Sequence, residues 1–211
     1  MKLFNYRKFY KKDSLSIDDI GNNPLEFFKS WFKDAENSDE IIESNAMTLT
    51  TIDDNAPSSR VVLLKEIKDK SLVFFTNYDS NKGRAISNNP NVCASFYWPP
   101  LERQVIFKGL AKKTDKDYSD SYFSSRPYKS QAAAIVSQQS KVINSYEDLV
   151  DRYNKLLDQN KNSTFKRPKN WGGIEIDIKE IEFWQGRENR LHNRVICRLI
   201  NDNWDIQLLS P

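Results

Sequence analysis

One histidine, six glycines and two cysteines in 211 residues remove several chemistries at once. A single histidine excludes a multi-histidine metal site. The glycines form neither a GxGxxG nor a GxxxxGKS/T pattern. Any phosphate must therefore be held by arginine, lysine and hydroxyl side chains rather than by a glycine-rich cradle. Cys93 and Cys197 stand far apart, without CxxC spacing, in apolar runs that predict buried thiols rather than a zinc site or a redox pair. The longest apolar runs fall well short of the roughly 18–20 residues that cross a bilayer, and no leader peptide is visible. A soluble cytoplasmic protein is the default expectation, with no membrane partner. Charge is balanced as well: 32 Lys and Arg against 29 Asp and Glu leave a net +3, which implies no nucleic-acid-binding field.

What is present is an aromatic content of 12% spread over patterned segments, enough to build a core. Residues 1–20 are polar, basic and aperiodic and are expected to be a flexible N-terminal segment. Residues 21–211 show no linker or repeat and are expected to be a single domain. Asn23-Pro24 starts a helix whose apolar stripe is Leu25, Phe28, Trp31, Phe32 and Ala35. From Ala46 the period changes: "AMTLTTI", "SRVVLLKEI", "SLVFFTN", "VCASFYW" and "ERQVIFKGLAKK" are short β-rich runs between turn residues. "SNKGRAISNN" predicts a short helix, and further helices are expected near 115–124, 129–138 and 145–159. The chain returns to strands at "GGIEIDI" and in a hairpin of "RVICRLI" and "NWDIQLL". About eight strands with helical insertions and no βαβ alternation give a mainly β, α+β fold. An antiparallel Greek-key-type barrel would close the strands without leaving edges.

The densest chemistry lies in "RENRLHNR" (Arg187–Arg194), which holds the only histidine among three arginines. If this stretch is extended, Arg190, His192 and Arg194 share one face, with Leu191, Asn193 and Val195 on the other. Cations so placed repel one another unless an anion sits among them. A solvated turn with incidental charge is the other reading, and the residues alone leave both open. "RVVLLK" places Arg60 and Lys65 at the ends of an apolar run, either as charged strand ends or reaching over a rim to a phosphate. "SNK" (Ser80–Lys82) is either an ordinary turn or an anion site at a helix start. "LERQV" puts Arg103 and Gln104 at a strand start, where exposed polar residues are expected. Tyr122, Arg126 and Ser130 recur at intervals of four in "YFSSRPYKSQ", a set suited to a phosphate monoester, although Pro127 argues against one continuous helix. "SQQS" (Ser137–Ser140) adds amides and hydroxyls.

Taken together, "RVVLLK", "VFFTN", "SNK", "LERQV", "YFSSRP", "SQQS", "WGG", "IEFWQG" and "RLHNR" resemble, in order and over nearly the whole chain, the pyridoxamine (pyridoxine) 5′-phosphate oxidase family. The resemblance implies an FMN-binding split β-barrel, paired as a homodimer with FMN at the subunit interface. It implies FMN contacts from Arg60, Val61, Val62, Leu63, Leu64, Lys65, Phe75, Thr76, Asn81, Lys82, Gln104, Gln139, Ser140, Trp184 and Arg194. The implied substrate set is Arg7, Tyr10, Lys65, Tyr122, Arg126, Ser130, Arg190 and His192, with Arg190 and His192 as the catalytic pair at the vitamin ring. The implied reaction is oxidation of pyridoxamine or pyridoxine 5′-phosphate by O2 to pyridoxal 5′-phosphate, with H2O2 released and ammonia from the amine. Arg7 and Tyr10 would make the N-terminal segment a lid over bound substrate. One position departs from the family pattern: a phosphate-binding S-R-K is Ser80-Asn81-Lys82 here, so a bidentate cation becomes a neutral amide, for which Arg84 is the candidate substitute. A flavin reductase, or a module that binds FMN or pyridoxal 5′-phosphate without turnover, remains a rival. Peroxide release and substrate competition separate them.

Overall fold

The alternating runs of the sequence become nine strands in the computed structural model, which describes residues 1–5, 8–161 and 163–211. In chain order the strands are β1 (Ala46–Asp53), β2 (Ala56–Leu63), β3 (Glu66–Ile67), β4 (Ser71–Asn77), β5 (Asn91–Trp98), β6 (Arg103–Lys113), β7 (Trp171–Gln185), β8 (Asn193–Ile200) and β9 (Asn203–Leu209). The helices are α1 (Ile17–Ile20), α2 (Pro24–Glu36), α3 (Asn81–Asn88), α4 (Lys116–Ser125), α5 (Tyr128–Val136) and α6 (Tyr146–Gln159). The strand beyond the expected eight arises because "SRVVLLKEI" is not one run. Leu64 turns into the core, its N–H bonding Asn45 O at 2.9 Å, and Lys65 N–H bonds Val73 O at 2.8 Å, which separates β2 from β3.

The stripe on α2 behaves as its period requires. The Asn23 side chain accepts the N–H groups of Leu25 and Glu26, Pro24 opens the first turn, and Leu25, Phe28, Trp31 and Ala35 are buried. Phe28 packs edge-on against Phe107 at 4.7 Å, and Trp31 and Phe27 both meet Phe183. The helix thus covers the centre of the sheet, where β5, β6 and β7 lie side by side. At the C-terminal hairpin, Asn201 and Asp202 both take positive φ (48° and 65°), the backbone of a two-residue turn whose twist matches that of the strands.

Every strand pairing is antiparallel, and the order is β2-β1-β5-β6-β7-β4-β3 with β8 and β9 branching from β7. The expected closure into an edgeless barrel does not occur: among the described residues the sheet stays open and ends at β2, β3 and β9. The cause is β7. Its first half pairs with β4 over Trp171–Asp177 and its second half with β8 over Glu180–Gln185, while β6 runs along its other side. A sheet that changes partner along one strand splits instead of closing. At the fork Lys108 faces Glu180 and Gly109 faces Ile178, which leaves Lys179 as the extra residue of a β-bulge. Ile174, Ile176 and Ile178 are buried before the bulge and Ile181 and Phe183 after it, so the inward phase shifts by one residue there. Only glycine fits opposite, because a Cβ at Gly109 would stand 2.2 Å from Asp177 O.

Candidate active site

A cavity of about 460 Å³ opens beside β2, β4 and the α4–α5 corner, lined by Val61, Val62, Leu63, Lys65, Phe75, Thr76, Lys82, Tyr122, Arg126, Pro127, Ser130, Gln139 and Trp171. The spacing of Tyr122, Arg126 and Ser130 does not come from a continuous helix. Arg126 precedes a proline and is extended (φ −69°, ψ 148°), α4 ends at Ser125, and α5 begins after Pro127. The corner folds the three side chains into the same cavity. Tyr122 stacks on Phe75 with ring centroids 3.6 Å apart, and the Arg126 guanidinium lies over Trp171 at 4.5 Å.

The electrostatics of this cavity are one-sided. Lys82, 8% exposed, donates to Thr76 Oγ1 (3.1 Å), Ser80 Oγ (3.3 Å) and Gln139 Oε1 (2.9 Å), and it has no carboxylate partner among the described residues. Burial, and then the positive charge of Arg60, bring its pKa down to about 8. Arg60 itself is held by Leu49 O, Thr51 Oγ1 and Ser58 Oγ. Burial also lowers the pKa of Arg126, whose Nη1 is buried with no hydrogen-bond partner among the described residues. Buried Lys82, half-buried Arg126 and the exposed Lys65, with no acid in the lining, give a cavity whose charge suits anions. Above it α3 begins: Ser80 caps the helix by accepting Gly83 N–H, and Asn81 N–H donates to Ser140 Oγ at 3.2 Å. Gly83 is required at this position, since a Cβ would stand 2.2 Å from Tyr78 O. Arg84 Nη2 donates to Asn81 Oδ1 at 2.8 Å, and Arg84 Nη1 donates to Asp79 O.

A second cavity, about 710 Å³, is lined by Lys8, Phe9, Tyr10, Trp184, Arg187, Asn189, Arg190 and His192. Tyr10 stands edge-on to both Trp184 (5.6 Å) and His192 (5.4 Å), over Gly186, where any Cβ would strike the Tyr10 ring at 2.6 Å. His192 Nδ1 accepts Arg187 N–H at 3.0 Å. Burial, reinforced by the charge of Arg190, lowers the imidazole pKa and favours the neutral ring. With Nδ1 accepting, the ring proton resides on Nε2, which is left as a donor.

The single cationic strand face expected for Arg190, His192 and Arg194 does not form. Glu188–Arg190 is a 3-10 turn with positive φ at Asn189 and Arg190 (55° and 64°), and β8 starts only at Asn193. Arg190 and His192 enter the second cavity, whereas Arg194 pairs with Glu182 at 2.8 Å and Ser210 O at 2.9 Å and lines neither cavity. Leu64 belongs to the core rather than to the first cavity. Gln104, Trp184 and Arg194 stand directly opposite one another across β6, β7 and β8, with Gln104 donating to Ser95 Oγ. Arg7 lies outside the described residues. Trp171, Pro127, Lys8, Phe9, Asn189 and Arg187 also line a cavity, and residue type and spacing pointed to none of them as site residues. Arg103, expected to be an exposed strand residue, is 8% exposed and fully engaged.

The two cavities share no lining residue, and Trp171 and Trp184 place them at opposite ends of β7. At about 3.3 Å per residue, roughly 40 Å of strand separates these tryptophans.

Residues 34–185 match the family model described as pyridoxamine 5′-phosphate oxidase, and residues 171–211 match one described as the pyridoxine 5′-phosphate oxidase C-terminal dimerisation region. The pyridoxine/pyridoxamine 5′-phosphate oxidase of Flavobacterium psychrophilum is 49% identical over 211 residues, covering 99% of both chains. This chain belongs to the pyridoxamine 5′-phosphate oxidase family. The enzyme of that name from Leptospira interrogans is 43% identical over 212 residues, covering 100% of this chain and 99% of its own. Among solved structures, PhzG from Burkholderia lata, in complex with tetrahydrophenazine-1-carboxylic acid, superposes with a TM-score of 0.87 at 27% identity, covering 94% of this chain and 98% of its own. A pyridoxamine 5′-phosphate oxidase-related, FMN-binding protein from Nostoc punctiforme shares the fold at a TM-score of 0.71 and 14% identity, covering 91% of this chain and 100% of its own. The open, forked sheet is therefore the form the split-barrel fold of this family takes here. No helix among the described residues is long and apolar enough to cross a membrane.

Proposed function

We propose that this protein is an FMN-dependent oxidase of pyridoxamine 5′-phosphate or pyridoxine 5′-phosphate, serving vitamin B6 metabolism and salvage as a homodimer. The observation that carries this reading is the first cavity, with buried Lys82, the unpartnered Nη1 of Arg126 and no acid to neutralise either. It offers seats for two phosphates, one at Lys82, Thr76 and Gln139, with Ser140 next to it at the start of α3, the other at Lys65, Tyr122, Arg126 and Ser130. The first suits the FMN phosphate, with Val61, Val62, Leu63 and Phe75 along the cofactor and Arg60 behind it. The second suits the vitamin phosphate. Bound FMN supplies the two-electron acceptor that O2 then regenerates. The amine, O2 and water become the aldehyde, ammonia and H2O2, and the alcohol and O2 become the aldehyde and H2O2.

The chain's own groups orient the substrate rather than carry electrons. Arg126 and Lys65 neutralise the vitamin phosphate, and Tyr122 and Ser130 complete its hydrogen bonds. Arg190 and the Nε2–H of His192 meet charge that develops on the ring oxygen, so His192 serves as a donor rather than as a base. Gln104, Trp184 and Arg194 supply the remaining cofactor contacts. Tyr10, with Arg7, covers the ring as part of an N-terminal lid. Because Arg190 and His192 lie at the far end of β7 from Arg126, each site takes its phosphate cavity from one chain and its ring-binding cavity from the other.

The purified protein is expected to be yellow and to bleach anaerobically on addition of pyridoxamine 5′-phosphate. A colourless protein that cannot be reconstituted with FMN would sink this reading. The Arg190→Ala/His192→Ala double variant is expected to lose about 100- to 1,000-fold in turnover with FMN still bound, and unchanged kinetics would return both residues to the solvated turn. At the departure from the family pattern, Arg84 already leans on Asn81 and lends its charge to the start of α3. Asn81→Arg is expected to tighten FMN about three- to tenfold in a fluorescence titration, by adding a bidentate cation to the first phosphate seat. Equal or weaker binding would mean that Arg84 already fills that role.

A further inference from the structure

Glu102 has no part in the reaction proposed above, yet its setting is unusual. It ends the turn before β6 in the left-handed region (φ 57°, ψ 34°), where glycine or asparagine is the common choice. Its carboxylate is 3% exposed and not orphaned. Oε2 accepts two consecutive main-chain N–H groups, Lys11 at 2.8 Å and Lys12 at 3.0 Å, and the Lys8 ammonium stands 3.9 Å from Oε1. Its own carbonyl accepts Gly186 N–H at 2.7 Å, which ties it to the end of β7.

Its neighbour Arg103 anchors the same segment one step further along. Nη2 pairs with Asp13 at 2.8 Å, Nη1 with Asp34 at 2.7 Å, and Nε donates to Gln185 at 3.0 Å. Arg103 thus fixes Asp13 to α2 and β7. Glu102 acts between that anchor and Tyr10, the residue that packs on His192 and Trp184.

We propose that Glu102 is a positioning residue for the ring-binding cavity. By holding the N–H groups of Lys11 and Lys12 it sets where Tyr10 stands against His192, and so how tightly substrate is retained. The proposal rests on the function proposed above. Hydrogen bonds to an ionised acceptor are roughly twice as strong as neutral ones, and two adjacent amides aimed at one oxygen suit a carboxylate. A glutamine would offer a neutral oxygen and turn an NH2 group toward other donors. A left-handed glutamate that is retained for its side chain also makes a prediction about glycine. Glu102→Gly relieves backbone strain while deleting the latch.

The test uses FMN-loaded Glu102→Gly and Glu102→Gln proteins. Amide hydrogen exchange at Lys11 and Lys12 is expected to accelerate at least about tenfold in Glu102→Gly, with a melting temperature equal to or above that of the wild type. KM for pyridoxamine 5′-phosphate is expected to rise about tenfold, with kcat within about threefold and FMN affinity unchanged. Glu102→Gln should fall between the two. A purely structural residue would instead lower the melting temperature and leave KM alone. Wild-type exchange rates in the variants, or faster exchange with unchanged KM, would overturn the proposal. A wild-type protein that binds FMN but never turns over fails the oxidase reading instead, and the exchange rates then judge the latch by themselves.

Discussion

Two inactive variants mixed in equal amounts are expected to recover about one quarter of the wild-type activity. The first carries Lys65→Ala and Arg126→Ala and so loses the proposed vitamin-phosphate seat. The second carries Arg190→Ala and His192→Ala and so loses the proposed ring-binding groups. The placement of the two cavities at opposite ends of β7 means that neither chain alone can bring these groups to one small substrate. In the proposed two-fold dimer each site would draw one cavity from each chain. Random re-pairing makes half of the dimers mixed, and every mixed dimer holds one intact site and one doubly damaged site, hence about a quarter of the sites overall. Activity measured after brief denaturation and refolding of the mixture checks this. No recovery, with dimers re-formed, would place both cavities of a site in one chain.

Lys82→Met is expected to weaken FMN binding at least about 100-fold, the scale for losing a buried, charged hydrogen bond to a phosphate. The same change is expected to raise the melting temperature of the FMN-free protein by a few degrees, because an ammonium with no counter-ion is removed from a buried position. A residue kept for structure would instead lower the melting temperature of the FMN-free protein and leave FMN affinity near that of the wild type. The pH dependence has a definite sign. Free Lys82 titrates near pH 8, and a bound phosphate holds its proton more tightly, so binding takes up a proton once the free side chain has lost its own. FMN affinity is therefore steady below pH 8 and falls by up to about tenfold per pH unit above it. The phosphate contributes nothing there, having become a dianion near pH 6. In Lys82→Met the profile should be flat from pH 7 to 9, and fluorescence titrations at each pH decide it.

Local pattern carried most of the fold. The α2 stripe, the helices after β6 and the C-terminal hairpin follow from periodicity and capping residues that any reader of the chain can find. Closure of the sheet was not legible, since it depends on which partners β7 chooses along its length, and pairing is non-local. The phase shift was in view, as Ile174, Ile176 and Ile178 give way to Ile181 and Phe183, an interval of three where alternation demands two. In the site, residue type was a better guide than geometry. Tyr122, Arg126 and Ser130 meet in one cavity by way of a proline corner rather than a helix face. Arg190 and His192 stay together while Arg194 leaves them, because two left-handed residues interrupt the extended chain that spacing assumed. Glu102 and Arg103 were legible as letters and not as partners, since their contacts reach some ninety positions back along the chain.

The bulge at Lys179 has a consequence for how this gene can change. The residue gained there turns the outward positions of β7 from odd to even, which is why Trp171 and Trp184 emerge on the same side of the strand although their numbers differ in parity. Deleting that single codon would remove the bulge and restore perfect alternation, because Ile178, Ile181 and Phe183 would then follow one another at intervals of two. Ile181 and Phe183 would still face the core, and Trp184 would still emerge on the side of Trp171. In this strand the irregular residue lets both halves keep their apolar face inward although the parity of the sequence changes. The bulge is therefore a place within Trp171–Gln185 where the chain can lose one residue without turning a side chain over.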